Sequence, residues 1–166
     1  MIIRPARTAD AAAVSAIWNR EIREGISTFK TAEIPPEDMG RDIARKKTQG
    51  YPFMVAESAG HCVGFATCGA FRAATGYQQT WESTIYLGAA ARGHGAGSAL
   101  MQALECQAAE SNVHSLIAAI SGENSAAIRF HQALGFVQVA QVPKAARKFD
   151  RWFDLVLMQK LLCGAA

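Results

Sequence analysis

No stretch of the 166 residues approaches the roughly 18 consecutive apolar positions that a membrane helix needs, because charged or polar residues break every candidate run. The opening Met1-Ile2-Ile3-Arg4-Pro5 passes from strand formers straight to proline and lacks the apolar core of a secretory signal. A soluble, cytoplasmic chain is therefore expected. Cysteine is sparse and dispersed at Cys62, Cys68, Cys106 and Cys163, with no CxxC pair and no histidine at zinc-like spacing. Neither a metal site nor a disulfide framework is suggested, and all four read as reduced thiols, mostly packed as small hydrophobes. A surplus of one charge is missing too. Seventeen basic against fourteen acidic residues leave a net +3, and no block of five like charges occurs. Nucleic acid and anionic membranes are not expected partners, and the nearest basic cluster, Arg41, Arg45, Lys46 and Lys47, reads as the solvated face of a helix.

What is present is apolar: 50% of the residues, against 19% charged, enough for one substantial core in one domain spanning 1–166. Ile2-Ile3-Arg4 is strand-like, and Thr8-Ala9-Asp10 offers an N-cap to a helix carrying Val14, Ile17, Trp18 and Ile22. Glu24 to Ile34 reads as an ordered loop. Pro35-Pro36-Glu37-Asp38 opens a second helix with Met39 and Ile43 on one face. Phe53–Glu57 and Cys62–Thr67 form a hairpin, and Thr80 to Leu87 a third strand of it, with Trp81, Ser83, Ile85 and Leu87 on one face and Thr80, Glu82, Thr84 and Tyr86 on the other. Leu100, Met101, Leu104 and Ala108 mark a third helix, and Ser115–Ile120 a strand buried on both faces. Asn124 caps a fourth helix with Ile128, His131 and Leu134 on one face, closing at Gly135. Two strands follow, Phe136–Val142 and Trp152–Met158. The predicted order is β-α-α-β-β-β-α-β-α-β-β, a mixed α/β fold.

Arg92-Gly93-His94-Gly95-Ala96-Gly97-Ser98 joins the central strand to the third helix. Unpaired amides and the positive helix end converge there with the Arg92 cation, a setting suited to a phosphate; a turn whose glycines serve geometry alone is the alternative. Two known phosphate loops fail. A Walker A loop needs a lysine where Gly93 is followed by His94-Gly95, and a Rossmann fingerprint needs a third glycine where Ser98 stands.

Arg92-x-x-Gly95-x-Gly97, after Ile85-Tyr86-Leu87, resembles instead the acyl-CoA pyrophosphate loop of the GCN5-related N-acetyltransferase superfamily. Glu123-Asn124-Ser125-x-Ala127-Ile128-x-Phe130-His131-x-x-x-Gly135-Phe136 resembles its second motif. Trp18-Asn19, Thr28-Phe29, Gly69-x-Phe71-Arg72, Gly76-Tyr77, Glu82–Tyr86 and Lys148-Phe149-x-Arg151-Trp152-x-Asp154 are similar to the phosphinothricin and methionine sulfoximine acetyltransferase branch. The resemblance implies acetyl transfer from acetyl-CoA to the α-amino group of a small amino acid or analogue, by a homodimer.

It also implies roles. Glu82 matches the catalytic glutamate that takes the ammonium proton. The backbone of Ile85, Tyr86 and Leu87 would bind the pantetheine arm, Arg92, Gly93, His94, Gly95, Ala96, Gly97 and Ser98 the pyrophosphate, and Asn124 would lie near the pantetheine while also serving as helix cap. His131 stands where many members carry a tyrosine proposed to protonate the thiolate, and a core histidine is the competing reading. Arg72, Ala73, Ala74, Ser83, Thr84 and Phe29 would border the substrate beside Glu82, with Arg72 suited to a carboxylate. Lys148 and Trp152 would border it too or serve the dimer. Departures from the family pattern are Gly88–Ala91, without the usual proline or acid, His94 in place of lysine or arginine, and Ser83 in place of histidine. Two other readings stay open: acetylation of protein N-termini or another small amine, and a non-catalytic acyl-CoA sensor.

Overall fold

In the computed structural model, which describes residues 1–162, the elements follow the expected order: β1 (Ile2–Pro5), α1 (Ala11–Glu24), α2 (Pro36–Thr48), β2 (Phe53–Ser58), β3 (His61–Ala70), β4 (Thr80–Leu87), α3 (Ala96–Glu110), β5 (Ser115–Ser121), α4 (Ser125–Ala133), β6 (Val137–Lys148) and β7 (Arg151–Leu161). The strands form one mixed seven-stranded sheet ordered β1-β2-β3-β4-β5-β7-β6. Strand β2 is buried on both sides because its alternating side chains feed two apolar layers. Met54 and Ala56 pack with Leu100, Met101 and Leu104 of α3, while Phe53 and Val55 pack with Val14 of α1 and Met39 and Ile43 of α2. Strand β5 is likewise buried apart from Ala119. Cys68 lies in the core, Cys62 is half-buried and Cys106 is exposed, all three as free thiols. Cys163 lies outside the described residues.

Several local details differ from the expectation. Asp10 does not cap α1 with its side chain. Its carboxylate instead accepts two 2.8 Å bonds from the Arg4 guanidinium and one of 2.7 Å from the Arg7 N–H, tying β1 to the helix start. In the basic cluster, Arg41 and Arg45 pair with Asp38 and Asp42 on the surface, but Lys46 turns inward and donates to Thr67 Oγ1 (3.0 Å) and the Cys68 carbonyl (2.9 Å). The last hairpin is longer than its apolar runs indicate. Its two strands meet at Phe149-Asp150, both left-handed (φ 50° and 57°), and β6 bulges at residues 143–145, where Asp154 accepts the Lys144 N–H at 2.9 Å.

The loop after α1 is ordered by a side chain. Asn19 accepts the Ile34 N–H (2.8 Å) and donates back to the Ile34 carbonyl (3.0 Å), so this amide takes the place of the strand partner that the segment lacks. The feature that creates a site is in the middle of the sheet. Strands β4 and β5 are its parallel pair, and they are in register only from Thr80↔Ser115 to Ser83↔Ala118. Beyond Ser83, β4 continues to pair with β3 as far as Leu87, and β5 with β7 as far as Ser121, but not with each other. The sheet splits into a cleft whose two walls carry unpaired strand amides and carbonyls.

Candidate active site

A cavity of about 720 Å³ occupies the split. Glu82, Ser83, Thr84, Ile85, Tyr86 and Leu87 form one wall and Ala118 to Ser121 the other. Because β4 has no partner on its β5 side after Ser83, the backbone groups of Ile85 and Leu87 that face this side are available to a bound chain, whereas those of Thr84, and of Tyr86, expected in the same role, face β3. Asn124, Phe130 and His131 close the cavity from α4, and Trp18, Glu21, Ser27, Thr28, Phe29 and Lys30 from α1 and its loop.

Arg92 and Gly93 stand at the cavity's end, and the rest of the glycine-rich turn continues beyond it. Gly93 and Gly95 have φ of +79° and +76°, a conformation that side chains rarely adopt, with nothing within 4 Å of the place a Cβ would take. Helix α3 begins at Ala96 with Gly95 as its N-cap and no side chain capping it, so its first-turn amides remain free for an anion. Gly97, in that first turn, also has a packing reason. A Cβ there would stand 3.1 Å from the Phe130 ring, so this glycine lets α3 approach α4. His94 is exposed and its ring bonds the Arg92 carbonyl at 2.9 Å, and Ser98 is exposed in the first turn of α3. Arg92 pairs at 2.9 Å with Glu21, whose carboxylate is mostly shielded and folds back over Gly25, where a Cβ would meet it at 2.1 Å. These features fit a pyrophosphate: open backbone, free amides, and a cation held by a single exchangeable partner.

Glu82 is half-buried on the cavity wall, and no residue among those described hydrogen-bonds its carboxylate. Burial raises its pKa above the ordinary carboxylate value, and the nearby Arg72 guanidinium partly opposes the rise. Arg72, Ala73 and Ala74 are exposed and lie outside the cavity lining. Arg72 lies over the Phe71 ring at 4.2 Å and donates to the Phe71 carbonyl at 2.8 Å, at the turn where β3 leads to β4. It is thus placed at the rim on the Glu82 side.

The geometry weighs against a proton-donor role for His131. Its Nδ1 lies 2.9 Å from the Ala127 carbonyl and so carries the proton, and burial lowers the ring's pKa. At neutral pH the remaining nitrogen accepts rather than donates. Asn124 does cap α4, accepting the Ala127 N–H at 3.0 Å, and also donates to Ser27 Oγ at 3.2 Å. The Tyr86 hydroxyl donates to the Ser27 carbonyl at 3.1 Å, and burial pushes its pKa up to about 12. Glu21, Ser27, Lys30 and residues 118–121 of β5 are cavity residues that the motifs did not indicate. Glu21 is one helical turn from Trp18, which is the only signal that placed it.

The acetyltransferase (GNAT) domain profile matches residues 3–157. An L-methionine sulfoximine/L-methionine sulfone acetyltransferase of Pseudomonas aeruginosa is 37% identical over 160 residues, 95% of this chain and 92% of that protein. A phosphinothricin acetyltransferase from Sinorhizobium meliloti, solved in complex with acetyl-CoA, superposes with a TM-score of 0.93 at 31% identity, covering 97% of this chain and 88% of the other. A ribosomal-protein-alanine N-acetyltransferase from Brucella melitensis gives 0.95 at 34% identity, with coverage of 98% and 100%. The chain belongs to the GNAT acetyltransferase family. It is an N-acetyltransferase whose acetyl donor is acetyl-CoA, and the sensor reading is set aside.

Proposed function

We propose that the chain acetylates the α-amino group of a small amino acid or analogue of the methionine sulfone, methionine sulfoximine or phosphinothricin type. The observation that carries this reading is the nearness of Arg72 to Glu82: a half-buried carboxylate on the cavity wall and a guanidinium at the adjoining turn, close enough to act on it. An α-amino acid bears its amine and carboxylate on one carbon, so a base and a carboxylate-binding cation must be neighbours to receive both. Glu82 takes one proton from the substrate ammonium. The freed amine attacks the thioester carbonyl, whose developing negative charge is met by the strand amides of Ile85 and Leu87 that β5 leaves unpaired. The C–S bond breaks, and the second proton lost by nitrogen balances the one the thiolate takes. Arg92 and the first-turn amides of α3 hold the pyrophosphate, and Phe29, Ser83 and Thr84 enclose the amino acid.

The reading extends to assembly and place. The long outer strand β6 exposes Val137, Val139 and Val142, and Trp152 of β7 is 56% exposed, an apolar strip that supports a homodimer. A chain consuming acetyl-CoA belongs in the cytoplasm, with residues 1–166 as one catalytic domain. The test is thiol release from acetyl-CoA with L-methionine sulfone, L-methionine sulfoximine and phosphinothricin, against peptides with N-terminal alanine. Turnover of the free analogues alone supports the proposal. Turnover of the peptides alone establishes the second reading, which the likeness to the Brucella melitensis enzyme favours.

A further inference from the structure

Lys148 is the last residue of β6 and only 5% exposed. Its Nζ donates to the carbonyls of Glu21 (3.0 Å), Gly25 (2.7 Å) and Thr28 (3.0 Å). An ammonium has three N–H donors and no acceptor, so this group is fully committed inside the chain. A substrate carboxylate would find no free donor on it. The Phe149 ring lies 4.8 Å away, covering the group further.

The three carbonyls belong to one segment. Glu21 is in the last turn of α1, Gly25 closes that helix by donating its N–H to Glu21, and Thr28 lies in the irregular run that follows. Within or beside this span, Ser27, Thr28 and Phe29 face the cavity, and Ser27 meets both Tyr86 and Asn124. The span has no strand or helix partner of its own between Gly25 and Pro35. Tyr86 and Asn124 hold it at Ser27, and the β6–β7 hairpin holds it on both sides of that residue, through the three bonds of Lys148 and through the Phe29–Phe153 ring contact at 5.6 Å. A buried cation whose charge is shared by carbonyls 120 or more residues away in sequence is costly to desolvate, and positioning such a wall accounts for it.

We propose that Lys148 is a positioning residue that clamps the end of α1 and residues 25–28 as the acceptor wall, so that acceptor affinity depends on its ammonium while acetyl-CoA affinity does not. This rests on the reading of Phe29 and its neighbours as the substrate side of the cavity. Lys148→Met keeps the stem and its packing and removes the three donors. In the full-length chain the expected result is a KM for L-methionine sulfone raised more than fivefold, with kcat and the calorimetric Kd for acetyl-CoA within threefold of wild type. Hydrogen exchange at the amides of residues 25–29 should quicken at least tenfold while β4 and β5 keep their protection.

A smaller rise in KM, or equal losses of acceptor and acetyl-CoA affinity, overturns the proposal. If Lys148→Met does not fold, Lys148→Arg decides by the same thresholds, since a planar guanidinium keeps the charge but cannot meet three carbonyls arranged about one nitrogen. A wild-type enzyme that acetylates none of the amino-acid analogues refutes the proposed substrate instead. The exchange rates at residues 25–29 then decide the role of Lys148 on their own: unchanged rates in the variant overturn it.

Discussion

Replacing Glu82 by glutamine should damage activity and improve stability at the same time. The substitution is isosteric and disturbs no hydrogen bond to the carboxylate among the described residues, so its effects come from the charge and the lost basicity. Loss of a general base lowers kcat by roughly 10²–10⁴-fold, about 2.7–5.5 kcal/mol of barrier at 1.36 kcal/mol per decade. Activity should recover in part as rising pH deprotonates the free amine. Stability moves the other way because burial raises the Glu82 pKa above 4.5 in the folded chain. The folded state therefore binds this proton more tightly than the unfolded state, and above the folded pKa the charged carboxylate is a net cost. Glutamine removes that cost, so Tm should rise at pH 8, and the gain should vanish as pH falls below the ordinary carboxylate value. Thiol release at saturating substrates and calorimetric melting at pH 8 and pH 4 measure the two effects. A kcat within tenfold of wild type at pH 7 would mean that the proton leaves by another route. A lower Tm at pH 8 would mean that the carboxylate is stabilised rather than stressed.

Arg72→Ala should raise KM for an amino-acid analogue roughly tenfold to hundredfold, the effect of about 1.5–3 kcal/mol for a charge-assisted contact, and should leave its methyl ester unaffected. The same variant should move the acidic limb of the pH profile upward, since Arg72 opposes the rise in the Glu82 pKa; an unmoved limb would separate the two residues. Gly95→Glu places a side chain at φ +76° and a negative charge at the start of α3, so calorimetry should detect no acetyl-CoA binding, and unchanged affinity would put the pyrophosphate elsewhere. Glu21→Gln frees Arg92 and takes a negative charge from the anion site, and should tighten acetyl-CoA binding about two- to fivefold, the scale of a part-exposed ion pair; weaker binding would show that Glu21 orients Arg92 for the ligand. Nitrogen NMR at pH 7 should find His131 neutral with the proton on Nδ1, and an imidazolium pattern would restore it as the proton donor.

The parts of this fold that were legible in the sequence are those whose cause is local. Gly135 at φ +89° closes α4 because only the residue type matters there, and Asn124 caps it through a bond three residues long. The alternation in Thr80–Leu87 marked which side chains face α3 because a strand has period two whatever surrounds it. The extent of the last hairpin was not legible. Pro143 and Lys144 interrupt the apolar pattern, and the hydrogen bond made at the bulge is accepted by Asp154, ten residues from Lys144. Lys46 and Lys148 were misplaced or left ambiguous for a related reason. A lysine is read as surface by default, and their carbonyl and hydroxyl partners lie 21 to 127 residues away.

The candidate site divides along the same line, and its geometry explains why. The glycine-rich turn is contiguous, so glycine spacing and one arginine suffice to single it out as suited to a phosphate. The cleft is made by the failure of two strands to pair: β4 and β5 part after Ser83 and Ala118, a separation that the periodicity of neither strand marks. The residues that line the gap come from elsewhere in the chain. Gly97 lets α3 approach Phe130 of α4, and Trp18 of α1 lines the cavity with Ser27 and Thr28 of the loop that follows the helix. In that gap strand amides stay without a strand partner, a cost that pairing would remove. In the proposed reaction the N–H groups of Ile85 and Leu87, which face the gap, are the donors that meet the thioester carbonyl, so the structural expense and the proposed chemical use fall on the same atoms.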